Sequence, residues 1–172
     1  MPIIADEKDW TWVLSKPCPD CGFTAASATP ATVATTLPAL LPRWKSALKR
    51  AGADQRPNES TWSALEYGAH VRDALEVFEG RLTLMLEREN PLFPNWDQDQ
   101  AALDGHYGAL DPALVAAQLL QQGHDAASAF GAVAPEQWDR RGLRSNGSEF
   151  TVLTLSGYFL HDVIHHLHDV DA

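Results

Sequence analysis

The stretch GAHVRDALEVFEGRLTLM, residues 68–85, decides the fold class of this chain. Its apolar residues recur at alternating steps of three and four, the spacing of a helix face buried in a bundle. Ser60 or Thr61 is the expected N-cap, and Asn90-Pro91 ends the helix because proline disfavours helical backbone in the residue before it. The sequence therefore predicts a long amphipathic helix. Its buried face consists of Gly68, Val71, Leu75, Phe78, Leu82 and Met85.

Three further segments show the same helical spacing. Thr29-Pro30 and Asp111-Pro112 each place a capping side chain before a proline, which is favoured at the first helical position. Pro38 and Pro42 lie inside the first of these segments and predict a kink or a late start. The expected helices span about residues 30–51, 112–134 and 150–168.

The remaining segments lack a regular pattern. Residues 1–29 are irregular and contain a C-x-x-C motif, residues 91–110 form a long loop, and residues 138–149 are a polar connection. No convincing run of alternating apolar and polar residues indicates a β-strand. We therefore expect an all-α four-helix bundle in a single domain, residues 1–172, with the helical bundle over residues 30–170.

Composition and charge restrict the partners. The 172-residue chain has a formal net charge of -10, which repels nucleic-acid phosphates and anionic lipid surfaces, and its basic residues are scattered. No apolar stretch approaches the roughly 20 residues that cross a bilayer. The N-terminus carries Asp6 and Glu7 where a secretory signal has basic residues and an apolar core. We expect a cytoplasmic protein that binds neither nucleic acid nor membranes.

The two cysteines form the motif Cys18-Pro-Asp-Cys21, which has three interpretations. They could be reduced thiols in a loop shaped by Pro17, Pro19 and Gly22. They could be half of a metal site completed by a distant histidine or a second chain, or they could be a redox pair. Thioredoxin-type motifs lie at a helix start after a strand, and nothing strand-like precedes Cys18, which argues against the redox interpretation.

The histidines carry the strongest chemical signal. His161 and His165 are four residues apart on the last helix, so both imidazoles can reach one ion. His168 could share that face, whereas His166 points elsewhere. His70 is the only histidine on the second helix and borders its buried face. A solvated surface pair and a core-edge histidine are alternative interpretations, but ligands on two facing helices favour a three-nitrogen metal site with open positions.

Carboxylates near these histidines are candidate partners. Glu66, Asp162 and Asp169 could accept hydrogen bonds from the second ring nitrogens of metal-bound imidazoles. Asp97, Asp99 or Glu66 could act as general base if a bound water were the nucleophile. Imidazoles accommodate zinc, nickel, iron and copper, so these ligands do not identify the metal.

Two motifs resemble the DinB-like family of proteins. The segment WSALEYGAHVRD, residues 62–73, is similar to the family's second-helix signature, in which the histidine is a metal ligand. The segment LHDVIHH, residues 160–166, resembles the family's closing H-x-x-x-H motif. The segments PNWDQD, residues 94–99, and WDRRGLRSNG, residues 138–147, look like an actinobacterial-type subgroup. This subgroup is related to the metal-binding domain of mycothiol-dependent maleylpyruvate isomerase, and the resemblance covers about residues 30–170.

The resemblance implies an up-down-down-up four-helix bundle, which in this family is often a homodimer. It also implies a divalent metal site, with zinc or nickel as the expected ion. The ligands that it implies are His70, His161 and His165.

For activity, the resemblance implies metal-dependent transfer of a low-molecular-weight thiol such as mycothiol to an electrophile. Arg141, Arg144 or Arg72 could then bind a carboxylate of the thiol cofactor or the substrate, because guanidinium groups match carboxylate geometry. The alternative functions are a metal-dependent hydrolase and a non-catalytic metal-binding module in a stress response.

Overall fold

The computed structural model describes residues 9–172 and consists mainly of helices. No helix in this part of the chain has the length and apolar character needed to span a membrane. The α-helices are α1 (Pro30–Leu48), α2 (Ala64–Glu87), α3 (Gln98–Asp104), α4 (Pro112–Gly131) and α5 (Val152–Asp169). Short 3₁₀ helices span Trp10–Leu14, Ala25–Ser27, Tyr107–Ala109 and Pro135–Gln137. The strands are β1 (Leu92–Phe93), β2 (Arg141–Arg144) and β3 (Glu149–Thr151).

The two predicted cap-then-proline starts are confirmed. The Thr29 side chain accepts a hydrogen bond from the Thr32 amide before α1, and Asp111 caps α4 in the same way. The helix α1 does not start late, because it includes both of its internal prolines, Pro38 and Pro42.

The predicted N-cap of α2 is wrong by two to three residues. The cap is Ser63, whose hydroxyl accepts from the Glu66 amide while the Glu66 carboxylate accepts from the Ser63 amide, at 3.2 and 2.8 Å. This reciprocal capping box satisfies two amides that would otherwise lack partners at the helix start. Ser60 is engaged elsewhere, because its amide and hydroxyl both donate to the Asn58 side chain.

The four long helices bury one continuous core. The helices α1 and α2 each contact both α4 and α5, so every long helix contributes an apolar face. Among the fully buried side chains are Trp44 on α1, Leu75 on α2, Phe130 on α4 and Phe159 on α5. The stacked rings of Phe78, Phe130 and Phe159 lie at the centre of this packing.

The two connections predicted as irregular contain regular structure. Residues 91–110 include β1, α3 and a 3₁₀ turn, and residues 138–149 include β2 and the start of β3. The strands form one small sheet in which β1 is parallel to β2 and β3 is antiparallel to it. Each strand has two to four residues, which is too short to show an alternating pattern, and its pairing depends on a partner distant in sequence.

The N-terminal segment, residues 9–29, packs along α5. Its two short 3₁₀ helices both contact α5, and Val13 and Ala25 are buried there. A Cβ on Gly157 of α5 would lie 2.3 Å from the carbonyl oxygen of Ala25, so the close approach requires glycine. This packing brings the C-x-x-C motif to the histidine-rich part of α5.

Candidate metal centres

The histidine-rich turns of α5 present two different faces. His161 and His165 lie one turn apart, and so do Asp162 and His166, but the second pair is displaced by about 100° around the helix. Each face meets ligand-type side chains from another part of the chain. We call them the cysteine–histidine group, which consists of Cys18, Cys21, His161 and His165, and the His70 group, which consists of His70, Asp162 and His166. Within each group the ligand atoms all lie within 4.8 Å of one another.

In the His70 group, the Asp162 carboxylate on α5 lies near both His70 on α2 and His166 on α5. Nε2 of His70 lies 3.6 Å from Oδ2 of Asp162, and Nε2 of His166 lies 3.6 Å from Oδ1 of the same residue. His70 is 0% exposed, and neither of its ring nitrogens has a hydrogen-bond partner. Oδ2 of Asp162 is likewise buried without one. Buried polar atoms normally have hydrogen-bond partners, so these atoms are candidate ligands for an ion.

A divalent ion fits the His70 group. Two ligand atoms that are each about 2.1 Å from one ion at angles of about 90–110° are about 3.0–3.4 Å apart, close to the observed separations of 3.6 Å. Two imidazoles and one carboxylate suit several divalent metals and leave positions open for water or substrate. The ligands would be His70, Asp162 and His166.

The protonation states also suit metal binding. Burial lowers the pKa of His70, which keeps its imidazole neutral. Burial alone would raise the pKa of Asp162, but the neighbouring His166 and His70 bring it down to about 2. Nδ1 of His166 lies 2.8 Å from Oδ2 of Asp169, so a proton on Nδ1 donates to that carboxylate and Nε2 remains for the ion. Asp169 is thus a hydrogen-bond acceptor for His166, which is not one of the predicted ligands.

Aromatic rings hold the imidazoles of this group in place. The His70 ring stacks on Trp96 at 5.2 Å between ring centroids, and Trp62 packs against it at 5.6 Å. The Tyr67 ring lies 5.1 Å from that of His166. These contacts restrict the orientations of the imidazole rings.

In the cysteine–histidine group, a tight turn presents both thiols. The Gly22 amide donates to the Cys18 carbonyl at 2.9 Å, and the Cys18 amide donates to the Phe23 carbonyl at 3.0 Å. Gly22 has a φ of 73°, a left-handed conformation that glycine adopts without a steric penalty. The turn therefore depends on the residue that follows the second cysteine.

One thiol and one imidazole of this group are in direct contact. Sγ of Cys18 lies 3.5 Å from Nδ1 of His165, and the His161 and His165 rings are 5.1 Å apart. Nε2 of His161 is buried without a hydrogen-bond partner. Burial lowers the pKa of His161 to about 4 and raises the pKa of Cys21 to about 11. The Trp10 ring covers both imidazoles.

One cavity of about 310 Å³ lies beside both groups. The described side chains that line it are aromatic, acidic or histidine for the most part, and none is Lys or Arg. The α5 residues reach it from both faces of the helix. The lining consists of Trp10, Asp20, Ser60, Trp62, Tyr67, Gln98, Asp99, Tyr158, His161, Asp162, His165, His166 and Asp169.

The structure distributes the three predicted ligands between the two groups. His161 and His165 are together, whereas His70 lies with Asp162 and His166. Joint ligation by His70, His161 and His165 stays a prediction, and the observed groups offer a different division of ligands. Asp162 and His166 have the same four-residue spacing as the predicted pair, and this was the signal in the sequence that could have indicated them.

Glu66 does not contribute to either group. Its carboxylate accepts from Nε of Arg56 at 2.9 Å and completes the capping box of α2. The suggestion that Glu66 supports a metal-bound imidazole is therefore wrong, because both of its oxygens accept from Arg56 and Oε2 also accepts from the Ser63 amide. Of the other proposed bases, Asp97 caps α3, whereas Asp99 lines the cavity.

The candidate arginines lie outside the cavity. Arg144 is buried, with its guanidinium 5.8 Å from the ring centre of Tyr158, a cavity-lining residue. Arg141 is exposed on β2. Nε of Arg72 lies 2.6 Å from the Asp73 carboxylate. A cofactor-binding role for Arg141 and Arg144 stays a prediction.

Comparisons with known proteins agree with this architecture. Residues 24–170 match the model of the DinB superfamily. Among solved structures, the chain is similar to YfiT from Bacillus subtilis, which is described as a probable metal-dependent hydrolase with an unusual four-helix bundle topology. The TM-score is 0.68 at 17% identity, over 86% of this chain and 82% of YfiT, and this likeness confirms the expected up-down-down-up bundle. The comparison with curated proteins finds no match. Because the family match spans most of its length, the chain belongs to the DinB superfamily.

Proposed function

We propose that this chain is a metal-dependent enzyme that transfers a low-molecular-weight thiol to an electrophile. In this proposal the divalent ion binds to His70, Asp162 and His166. The observation that carries it is the state of His70, which is completely buried with two unpartnered ring nitrogens while it faces a carboxylate and a second imidazole.

The location of the His70 group supports catalysis over a purely structural role. Asp162 and His166 line the cavity, so ligands that enter the cavity reach the same two side chains that would hold the ion. Three protein ligands leave coordination positions unfilled, as in catalytic sites. His70 lies behind them and is fixed between Trp62 and Trp96.

The lining of the cavity favours an uncharged thiol. Trp10, Trp62 and Tyr158 offer apolar ring surfaces, while the carboxylates of Asp20 and Asp99 can accept hydrogen bonds from hydroxyl groups. The described lining has no Lys or Arg, so it offers no cationic side chain to bind an anionic substrate. A neutral, hydroxyl-rich thiol fits this surface best.

The side chains around the cavity can divide the work of such a transfer. A divalent ion at this position would lower the pKa of a coordinated thiol and so favour the thiolate. Asp99, which lines the cavity, would accept the thiol proton, and the aromatic rings would hold the thiol's carbon skeleton. The sulfur then bonds to the electrophilic carbon while the leaving group departs with its electron pair. Asp169 orients His166 throughout.

The test is conjugation of a thiol panel to monochlorobimane by the purified chain loaded with zinc or nickel. We expect conjugation that chelator abolishes, that Asp162→Ala removes, and that His124→Ala, an exposed control on α4, leaves unchanged. Asp169→Asn should weaken metal affinity by about 10–100-fold, because it removes the acceptor that orients His166. Rates that equal those of the chelator-treated chain for every thiol would contradict the proposal.

Hydrolysis is the second candidate, because the carboxylate of Asp99 lines the cavity and could deprotonate a water. It predicts turnover of esters or amides without any thiol and its loss in Asp99→Asn. Metal uptake without turnover in either assay would instead indicate a binding module.

A further inference from the structure

We infer that Cys18, Cys21, His161 and His165 form a second, structural zinc site that fastens the N-terminal segment to α5. This site is separate from the His70 group and does not depend on the proposed activity. All four ligand atoms lie within 4.8 Å of one another.

The separation between the Cys18 sulfur and the His165 imidazole nitrogen has the value expected for two ligands of one zinc ion. A thiolate sulfur about 2.3 Å from zinc and an imidazole nitrogen about 2.0–2.1 Å away are about 3.5 Å apart at a tetrahedral angle. The Cys18 sulfur and Nδ1 of His165 are 3.5 Å apart. The contact is therefore as compatible with shared ligation as with a weak hydrogen bond.

The second imidazole supplies an independent observation. Nε2 of His161 is buried without a hydrogen-bond partner, and the residue is 4% exposed. Such a nitrogen loses its bonds to water on folding and gains nothing in return unless an ion binds it. Zinc would satisfy it, and Nε2 of His165 faces the Asp169 carboxylate at 3.8 Å on the outer side.

The donor set identifies the metal and the kind of site. Two thiolates and two imidazoles in a tetrahedral arrangement select zinc over calcium, magnesium or manganese, which prefer oxygen ligands. Four protein ligands fill the coordination sphere, so this ion has no position for substrate. Its function is therefore to hold structure.

The structure that it holds is a wall of the cavity. Trp10 and Asp20 belong to the N-terminal segment and line the cavity, and both lie within eight residues of Cys18. Zinc binding would fix these side chains relative to Asp162 and His166 on the neighbouring face of α5. The C-x-x-C motif thus gains a role that neither a pair of loop thiols nor a redox pair explains.

The test is metal analysis and cobalt spectroscopy on the full chain. We expect two metal ions per wild-type chain, and one in Cys18→Ser and in Cys21→Ser. Cobalt-loaded wild type should show a thiolate-to-cobalt charge-transfer band together with the intense visible absorption of tetrahedral Co²⁺. His70→Ala should keep both signals, and both serine variants should lose them. Retention of the band in the serine variants, or its absence from wild type, would overturn the proposal.

A measurement on wild type alone covers the case in which a serine variant fails to fold. Both thiols should be protected from a thiol reagent in the zinc-loaded chain and should react once chelator is added, giving two thiols per chain. Equal reactivity before and after chelation would refute the site. So would the absence of reactive thiols in the denatured, chelated chain, since that result indicates a disulfide. His70→Ala tests the His70 group, and the serine variants test the zinc site. Failure of the proposed function and failure of the zinc site are therefore distinguishable.

Discussion

Each of the two faces of α5 carries a pair of ligand-type side chains four residues apart, but the two pairs face different parts of the chain. His161 and His165 face two thiols from the N-terminal segment, and the four ligand atoms lie within 4.8 Å of one another. Asp162 and His166 face a single histidine from α2, and three donors leave room toward the cavity. A displacement of one residue along the helix thus separates the group of four donors from the group of three.

This difference shows that ligand spacing alone does not assign a function. The same four-residue repeat places two side chains on one face, and the partner element decides how many further donors arrive. A loop with two cysteines supplies two, whereas α2 supplies only His70. Donor number then distinguishes structural from catalytic use.

The largest expected effect is the loss of folding stability when chelator removes the metal. It compares the cysteine–histidine group with the His70 group. Zinc that binds only the folded chain stabilises it by about 4 kcal/mol when the free zinc concentration is about a thousand times the dissociation constant. We expect chelator to lower the free energy of unfolding of His70→Ala by this amount, because that variant keeps the cysteine–histidine group. Urea unfolding followed by circular dichroism measures it.

The matched variant in this comparison is Cys18→Ser with Cys21→Ser, which keeps the His70 group. The remaining site has one ligand fewer, so chelator should cost it less, at most about 2–3 kcal/mol. An equal or larger loss in the serine variant would show that the two faces of α5 have been assigned the wrong way round.

A smaller effect on stability is expected from Gly157→Ala, which disturbs only the packing of the N-terminal segment on the side of the cysteine–histidine group. The new Cβ would lie 2.3 Å from the Ala25 carbonyl oxygen, so the segment must shift at a cost of about 1–3 kcal/mol. Zinc affinity should fall, while metal binding by the His70 group stays unchanged. The control is Gly80→Ala, where nothing lies within 4 Å and the helix should gain about 0.5–1 kcal/mol. Unchanged stability and unchanged zinc affinity in Gly157→Ala would contradict the docking of this segment on α5.

The smallest effect concerns Glu66, which supports only the α2 side. Burial alone would raise the pKa of Glu66, but Arg56 and Ser63 lower it below its usual value. Its contribution is therefore complete above the unfolded pKa of about 4.3 and is lost as pH falls through the lower folded value. Glu66→Gln should cost about 1–2 kcal/mol at pH 7 and less below pH ~4, measured by urea unfolding in chelator.

The cobalt–thiolate band should be the same in Glu66→Gln as in wild type, because the helix start lies on the His70 side. A stability difference between Glu66→Gln and wild type that does not change with pH would contradict the role given to the carboxylate.

The bundle could be predicted from sequence because its signals are local. A capping side chain next to a proline specifies a helix start within two residues, as at Thr29 and Asp111. The buried face of α2 can be predicted from the spacing of its own apolar residues. The short strands could not be predicted in this way, since β1 acquires its hydrogen bonds from β2, which lies about 50 residues later.

The candidate sites could also be predicted only where the signal is local in the sequence. Spacing identified the histidines of α5 and the single histidine of α2, and composition identified the thiols. The sequence did not show which face of α5 meets which neighbour, because that depends on the rotation of a helix in the finished bundle. Asp162 was therefore interpreted as a supporting acceptor, although it lies between His70 and His166 as a candidate ligand.

The contact between Cys18 and His165 also has a consequence for the order of biosynthesis. The two residues are 147 positions apart, so the segment around Cys18 is synthesised well before α5 and has to wait for it. Until α5 emerges, Val13 and Ala25 have no surface to cover them. We therefore expect docking of the N-terminal segment to be the final folding step, and a chain that is cut short before α5 to leave both thiols exposed to oxidation.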